Sequence, residues 1–187
     1  MGRYAIGHTP RHLSRFNKMK FLENMLPYFQ GEKLEALIFI LPLGLACMIF
    51  GGWLLSEGQQ GFAKGIALPC LVLGFLLTVV GSTVGFRTPS QVSSLQVAYQ
   101  AAPEATLQTE KERMAKVNRA WPYYLCIWIA FGVIGLALRL FAKSEFLNGV
   151  AVALVFFAGV GLLIDGFADR RAQVYTQAIQ EALLDKQ

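Results

Sequence analysis

Four apolar stretches, the absence of charge within them and the crowding of Lys and Arg between them predict an all-α polytopic membrane protein with four transmembrane helices in two hairpins. The stretches are Ala36–Leu55, Gly65–Phe86, Tyr123–Phe141 and Phe146–Ile164, each about 20 residues long. An α-helix of about 20 residues matches a hydrocarbon core of ~30 Å. None of the four contains Lys, Glu or Asp, and only Arg139 intrudes, near the end of the third. A helix on a soluble core keeps a polar face, whereas these are apolar all round. The chain is 16% charged, against about 25% in soluble domains, and that charge lies in blocks.

Residues 1–34 form a basic, amphipathic N-terminal segment. Within it His12–Met25 reads as a short helix, with Leu13, Phe16, Leu22 and Met25 sharing one face and Arg11, Arg15, Lys18 and Lys20 filling much of the rest. That pattern fits a helix lying in the headgroup plane, its cations on anionic lipid. Pro27 is expected to end it and Gly31 to allow a turn into the first span. No short apolar run with a small-residue cleavage site precedes that span, so it is expected to act as an uncleaved anchor.

Residues 35–86 form the first hairpin, with the short connection Ser56–Lys64. Residues 87–120 form a long polar segment divided at Pro103. After it, Thr109 and Glu112 have capping-box spacing, and Leu107, Met114, Val117 and Trp121 follow a heptad-like pattern. This predicts a helix extending the third span. Residues 121–167 form the second hairpin, with a connection over Ala142–Glu145. Residues 168–187 form a helical tail with Val174, Ala178, Ile179 and Leu183 in one stripe, expected to pack on the extension of the third span. A weak repeat links the hairpins: Phe62-Ala-Lys-Gly65 resembles Phe146-Leu-Asn-Gly149, and Leu26-Pro-Tyr-Phe29 resembles Trp121-Pro-Tyr-Tyr124. A duplicated two-span unit and the shared composition of membrane helices account for it equally well.

Orientation follows from Lys and Arg. Fourteen of the seventeen lie before the first span, between the second and third, or after the fourth; the opposite side keeps only Lys64, Arg139 and Lys143. The positive-inside rule places both termini in the cytoplasm of a bacterial inner membrane. The net charge of +5 is met by anionic headgroups and calls for no nucleic-acid partner.

Helices in lipid associate by close backbone approach. The second span carries Cys70, Gly74, Thr78 and Ser82 at steps of four, with Gly81 and Gly85 beside them, and is the expected centre of the bundle. Pro42 and Pro69 are expected to kink the first two spans. Cys47, Cys70 and Cys126 all fall inside spans, with no CxxC spacing, and read as small apolar residues.

Chemistry is sparse. His8 and His12 have i,i+4 spacing, but Pro10 separates them and no carboxylate adjoins them, so no metal site is expected. No histidine lies in a span to ligate a haem, no base accompanies Ser82 or Thr83 as a nucleophile, and no Gly-rich phosphate loop is present. The chain is expected to be non-catalytic and without cofactors. Asp165, at the basic end of the fourth span, is the acidic residue nearest membrane depth, and Arg87 is its expected partner.

The overall plan resembles that of small four-span bacterial inner-membrane immunity proteins, which protect cells from pore-forming or membrane-depolarising toxins, including colicin-type and type VI secretion effectors. The resemblance is of architecture alone. It implies a non-catalytic protein that packs its helices against a membrane-inserted partner, with the seam residues Cys70, Gly74, Thr78, Gly81, Ser82 and Gly85 as contacts. The alternative is a small channel, transporter subunit or scaffold acting as a homo-oligomer, with Asp165, Arg87 and Thr78 along a polar path.

Overall fold

The computed structural model describes residues 11–57 and 61–184, with side chains described from residue 21 onward. All its elements are helical: α1 (Arg11–Glu35), a π-helical turn (Ala36–Ile40), α2 (Leu41–Glu57), α3 (Gly61–Ala101), α4 (Pro103–Phe141) and α5 (Glu145–Leu184). Four continuous helices are long and apolar enough to cross a membrane. At 1.5 Å per residue, the 41 residues of α3 extend about 60 Å, twice the thickness of a hydrocarbon core. Each long helix therefore has an apolar half and a polar half.

In the apolar half α2 packs on α3, α3 on α5 and α5 on α4, so that α2 and α4 flank a central α3/α5 pair. The pair meets at the residues of the repeat. A Cβ on Gly65 would lie 3.0 Å from the Gly149 Cα, and one on Gly149 would lie 3.0 Å from the Gly65 Cα. The carbonyls of Phe146 and Phe62 close the two sides of this contact. Each glycine thus admits the backbone of the other's helix.

The polar halves form a second bundle, built from α1, the end of α3, the start of α4 and the end of α5. Phe21, Met25, Phe29, Leu107, Met114 and Ile179 are fully buried there, together with Tyr28, Tyr99 and Tyr175. Phe21 stacks on Tyr99 and Tyr28 on Tyr175, each with ring centroids 4.6 Å apart. The heptad positions of α4 behave as expected: Leu107 and Met114 are buried, and Val117 and Trp121 pack against them. The α5 stripe meets the core at three of its four expected positions, with Leu183 packed against the cluster. Ala178 and Ile179 face the core with Ala172, Tyr175 and Ala182, whereas Val174 is 54% exposed.

Three local expectations are corrected. First, α1 neither ends at Pro27 nor turns at Gly31; it runs through both and continues into the first apolar stretch. A proline inside a helix costs about 3 kcal/mol, but α1 buries Phe21, Met25 and Phe29 completely, each worth about 1.5–3 kcal/mol. From Phe21 onward α1 therefore lies along the bundle, against α3 and α5, and not apart from it in a headgroup plane. The side chains of Arg11, Arg15, Lys18 and Lys20 lie outside the described residues, as do His8 and His12. Second, the part of the segment before Pro103 is helical as well: α3 runs on to Ala101, and the break at Ala102 adjoins the expected division at Pro103. Third, the break is not capped by Thr109. Ala102 is the N-cap, at φ −144° and ψ 79°, without a side-chain bond, and Pro103 starts the helix with its φ already suited to it. Thr109 instead donates its hydroxyl to the Ala105 carbonyl at 3.0 Å.

The π turn has a cause in the sequence. Pro42 has no N–H to offer the Ile38 carbonyl, and its ring crowds that oxygen. Just before it, the Leu41 N–H bonds to the Ala36 carbonyl, five residues back, which widens the turn. Pro69, Pro89 and Pro122 lie within unbroken helices.

Candidate functional site

The small-residue seam on α3 is used inside the chain. A Cβ on Gly74 would lie 2.9 Å from the Cys47 Cβ, and one on Gly81 would lie 2.7 Å from the Leu41 nitrogen. Gly85 receives the Leu37 side chain, and a Cβ on Gly44 of α2 would lie 2.6 Å from the Thr78 nitrogen. Cys70 and Cys47 are buried in one cluster with Phe157. Thr78 donates to the Gly74 carbonyl at 2.8 Å and approaches Met48 Sδ at 3.7 Å. Cys70, Gly74, Thr78, Gly81 and Gly85 therefore hold α2 and its π turn, with Ser82 half-buried beside them. Cys70, Gly74, Gly81 and Gly85 are buried under the chain's own helices, while Thr78 and Ser82 are half-buried.

Asp165 and Arg87 are not drawn together. Arg87 is exposed on α3. The Asp165 carboxylate instead accepts a hydrogen bond from the Trp128 indole N–H at 2.5 Å. The Trp128 ring lies against Gly161, where any side chain would displace it. Around this pair is a groove of about 370 Å³ between α4 and α5, lined also by Asn118, Trp121, Asp169 and Gln173. Asn118 donates to the Thr176 hydroxyl at 3.0 Å. Its Oδ1 and the Trp121 indole nitrogen are buried without a hydrogen-bond partner.

A third polar cluster has no counterpart in the expectations from sequence. Glu110 is 4% exposed and accepts two hydrogen bonds from Arg113, at 2.9 and 2.6 Å. It also accepts one from the Tyr175 hydroxyl at 3.0 Å. The Arg113 guanidinium lies 5.8 Å from the Tyr28 ring centroid and 5.3 Å from that of Phe29, within cation–π range. Tyr28 donates to Glu32 at 2.7 Å. Burial raises the pKa of Tyr175, and the Glu110 charge raises it further; burial and Glu32 do the same for Tyr28. Burial works against the charge on Arg113, but its hydrogen bonds to Glu110 outweigh that and keep it firmly protonated. The signal for this cluster is the register of Leu107, Glu110 and Met114, which places a carboxylate on the buried face of α4, three residues after one apolar residue and four before another.

Among the described residues no three of His, Cys, Asp and Glu are grouped to hold a metal ion. The polar clusters provide hydrogen-bonding and ionic contacts between helices. Thr78 lies at the α2/α3 seam, Asp165 in the α4/α5 groove and Arg87 on an exposed face of α3. No family model, curated protein or solved structure matches the chain, and its functional reading rests on its own residues.

Proposed function

We propose that this is a multi-pass protein of a bacterial inner membrane that acts without catalysis, by packing a transmembrane helix against a membrane-inserted protein partner. Its apolar halves form two hairpins in the bilayer, and its polar halves form a cytoplasmic bundle. The immunity proteins it resembles in plan make neutralisation of a pore-forming toxin the specific form of this reading.

One observation carries it. In its most apolar 18-residue window only 6% of the α4 residues are buried, against 33% for α5. Its outward face presents Cys126, Ile129, Val133, Leu136 and Leu140, all exposed. These residues step by three and four, the spacing with which one helix interlocks with another. With the α3 seam already filled by α2, this stripe is the surface best suited to a partner helix.

Liposome assays test the reading. The purified chain alone is expected to pass no ions, and to suppress the leak caused by a membrane-inserting toxin encoded beside it. Replacing Ile129 and Val133 with Trp is expected to abolish that protection. Ion flux from the chain by itself would support the channel alternative, and protection unaffected by the substitutions would remove the stripe from the proposal. Oxidative cross-linking of Cys126 between two chains in native membranes would assign the stripe to a second copy instead.

A further inference from the structure

We infer that the groove between α1–α2 and α5 is a binding site for one anionic phospholipid, its phosphodiester on Arg170 and Arg171 and an acyl chain along the apolar wall. This rests on the membrane placement proposed above and not on the identity of any protein partner.

The groove has a volume of about 670 Å³. Leu34, Phe39 and Leu43 form one wall, Val160, Leu163 and Phe167 the other, and Glu35 and Arg171 close its polar end. Gly31 to Leu43 spans twelve helical residues and Val160 to Arg171 eleven, a depth of roughly 17 Å at 1.5 Å per residue. One leaflet of a ~30 Å hydrocarbon core is about that deep. The widened π turn contributes Phe39 to the wall. A second hollow, of about 280 Å³, adjoins the polar end; it shares Phe167 and Arg171 and adds Arg170.

The polar end is prepared for an anion. Arg171 gives one terminal N–H to Glu35, while its buried Nε has no hydrogen-bond partner. The Arg171 side chain is 28% exposed and gives Glu35 only one terminal nitrogen, so its guanidinium keeps N–H donors for a phosphate at the groove mouth. Side chains on a helix tilt toward its N-terminus, so Arg171 reaches back along α5 toward the apolar half. Its Cδ and Nε lie over Gly31, where even a Cβ would meet them at 2.7 and 3.0 Å. Arg170 is exposed beside it and supplies a second cation. Basic pockets at the inner-leaflet ends of transmembrane helices are where anionic headgroups collect.

Native mass spectrometry of the full chain in mild detergent tests this, with phosphatidylglycerol and phosphatidylcholine of identical acyl chains offered at equal concentration. The expected result is one phosphatidylglycerol retained per chain, at least about fivefold over phosphatidylcholine. Arg170→Gln and Arg171→Gln are each expected to lower retention about fivefold, the contribution of one basic residue near an anionic surface. Because Arg171 also pairs with Glu35, Leu163→Trp provides an independent variant: it fills the groove and is expected to expel the lipid with both arginines intact. Equal retention of the two lipids, or unchanged retention in R170Q and L163W, overturns the site. Retention of glycerophosphate as strong as that of the whole lipid would reduce it to an anion contact and overturn the groove. A chain that stays monodisperse without detergent would instead overturn the membrane placement, a distinct outcome.

Discussion

Replacing Arg113 with Met tests the buried ion cluster most directly. The substitution keeps an unbranched apolar side chain on the aromatic faces of Tyr28 and Phe29 while removing both hydrogen bonds to Glu110. Glu110 is 4% exposed, so it would be left a nearly dry carboxylate with only the Tyr175 hydroxyl as donor. Breaking one side of a buried ion pair costs about 3–5 kcal/mol. For a chain of this size each kcal/mol shifts Tm by about 2–4 °C, so a drop of roughly 6–20 °C is expected. Near-UV circular dichroism during thermal melting in detergent reports it, because the stacked Tyr28–Tyr175 and Phe21–Tyr99 pairs lie in the same core. The triple variant Glu110→Leu, Arg113→Met, Tyr175→Phe removes both charges and the hydroxyl that would otherwise lose its acceptor. Well-packed apolar replacements of buried ion pairs are often neutral or stabilising, so this variant is expected to melt at or above the wild-type temperature. If Arg113→Met melts within a degree or two of wild type, or the triple variant falls as far as the single one, then desolvation of Glu110 does not govern this core.

Other consequences follow from the same geometry. Tyr175 and Tyr28 have pKa values raised by burial; a raised acid group favours the folded state fully below its unfolded pKa of about 10 and loses that contribution as pH rises beyond it. An alkaline loss of stability above about pH 10 is therefore expected in pH-dependent melting, and Tyr175→Phe should blunt it while costing about 1.5–3 kcal/mol at neutral pH, as for a hydrogen bond to a charged group. Gly81→Ala would set a Cβ 2.7 Å from the Leu41 nitrogen, whereas Gly159→Ala meets nothing within 4 Å. The first is expected to destabilise the α2/α3 contact, and the second to be neutral or stabilising by up to about 1 kcal/mol through helix propensity; melting of the two variants side by side decides it. Cys126 is exposed while Cys47 and Cys70 are buried. N-ethylmaleimide, an apolar reagent that enters the detergent shell around Cys126, is expected on long incubation to add one label per folded chain, read by mass, rising to three on denaturation; three labels before denaturation would refute the Cys47–Cys70 packing.

The number and placement of the long apolar helices were readable from composition, because a segment that avoids charge for about 20 residues declares its solvent without reference to any neighbour. The heptad of Leu107, Met114, Val117 and Trp121 was readable for the same reason, since periodicity is a property of one helix. Tertiary packing decided what depends on partners. Pro27 looked like a stop until the burial of Phe21, Met25 and Phe29 outweighed its cost, and Thr109 looked like a cap until Pro103 began the helix earlier. The glycines of α3 were recognisable as a seam, but only packing showed α2 filling it. Asp165 was visible as a polar residue near membrane depth, but its hydrogen-bond donor proved to be Trp128, 37 residues away, and not Arg87. A sequence states what each segment will tolerate as surroundings; which neighbour supplies them is settled by competition among contacts far apart in the chain.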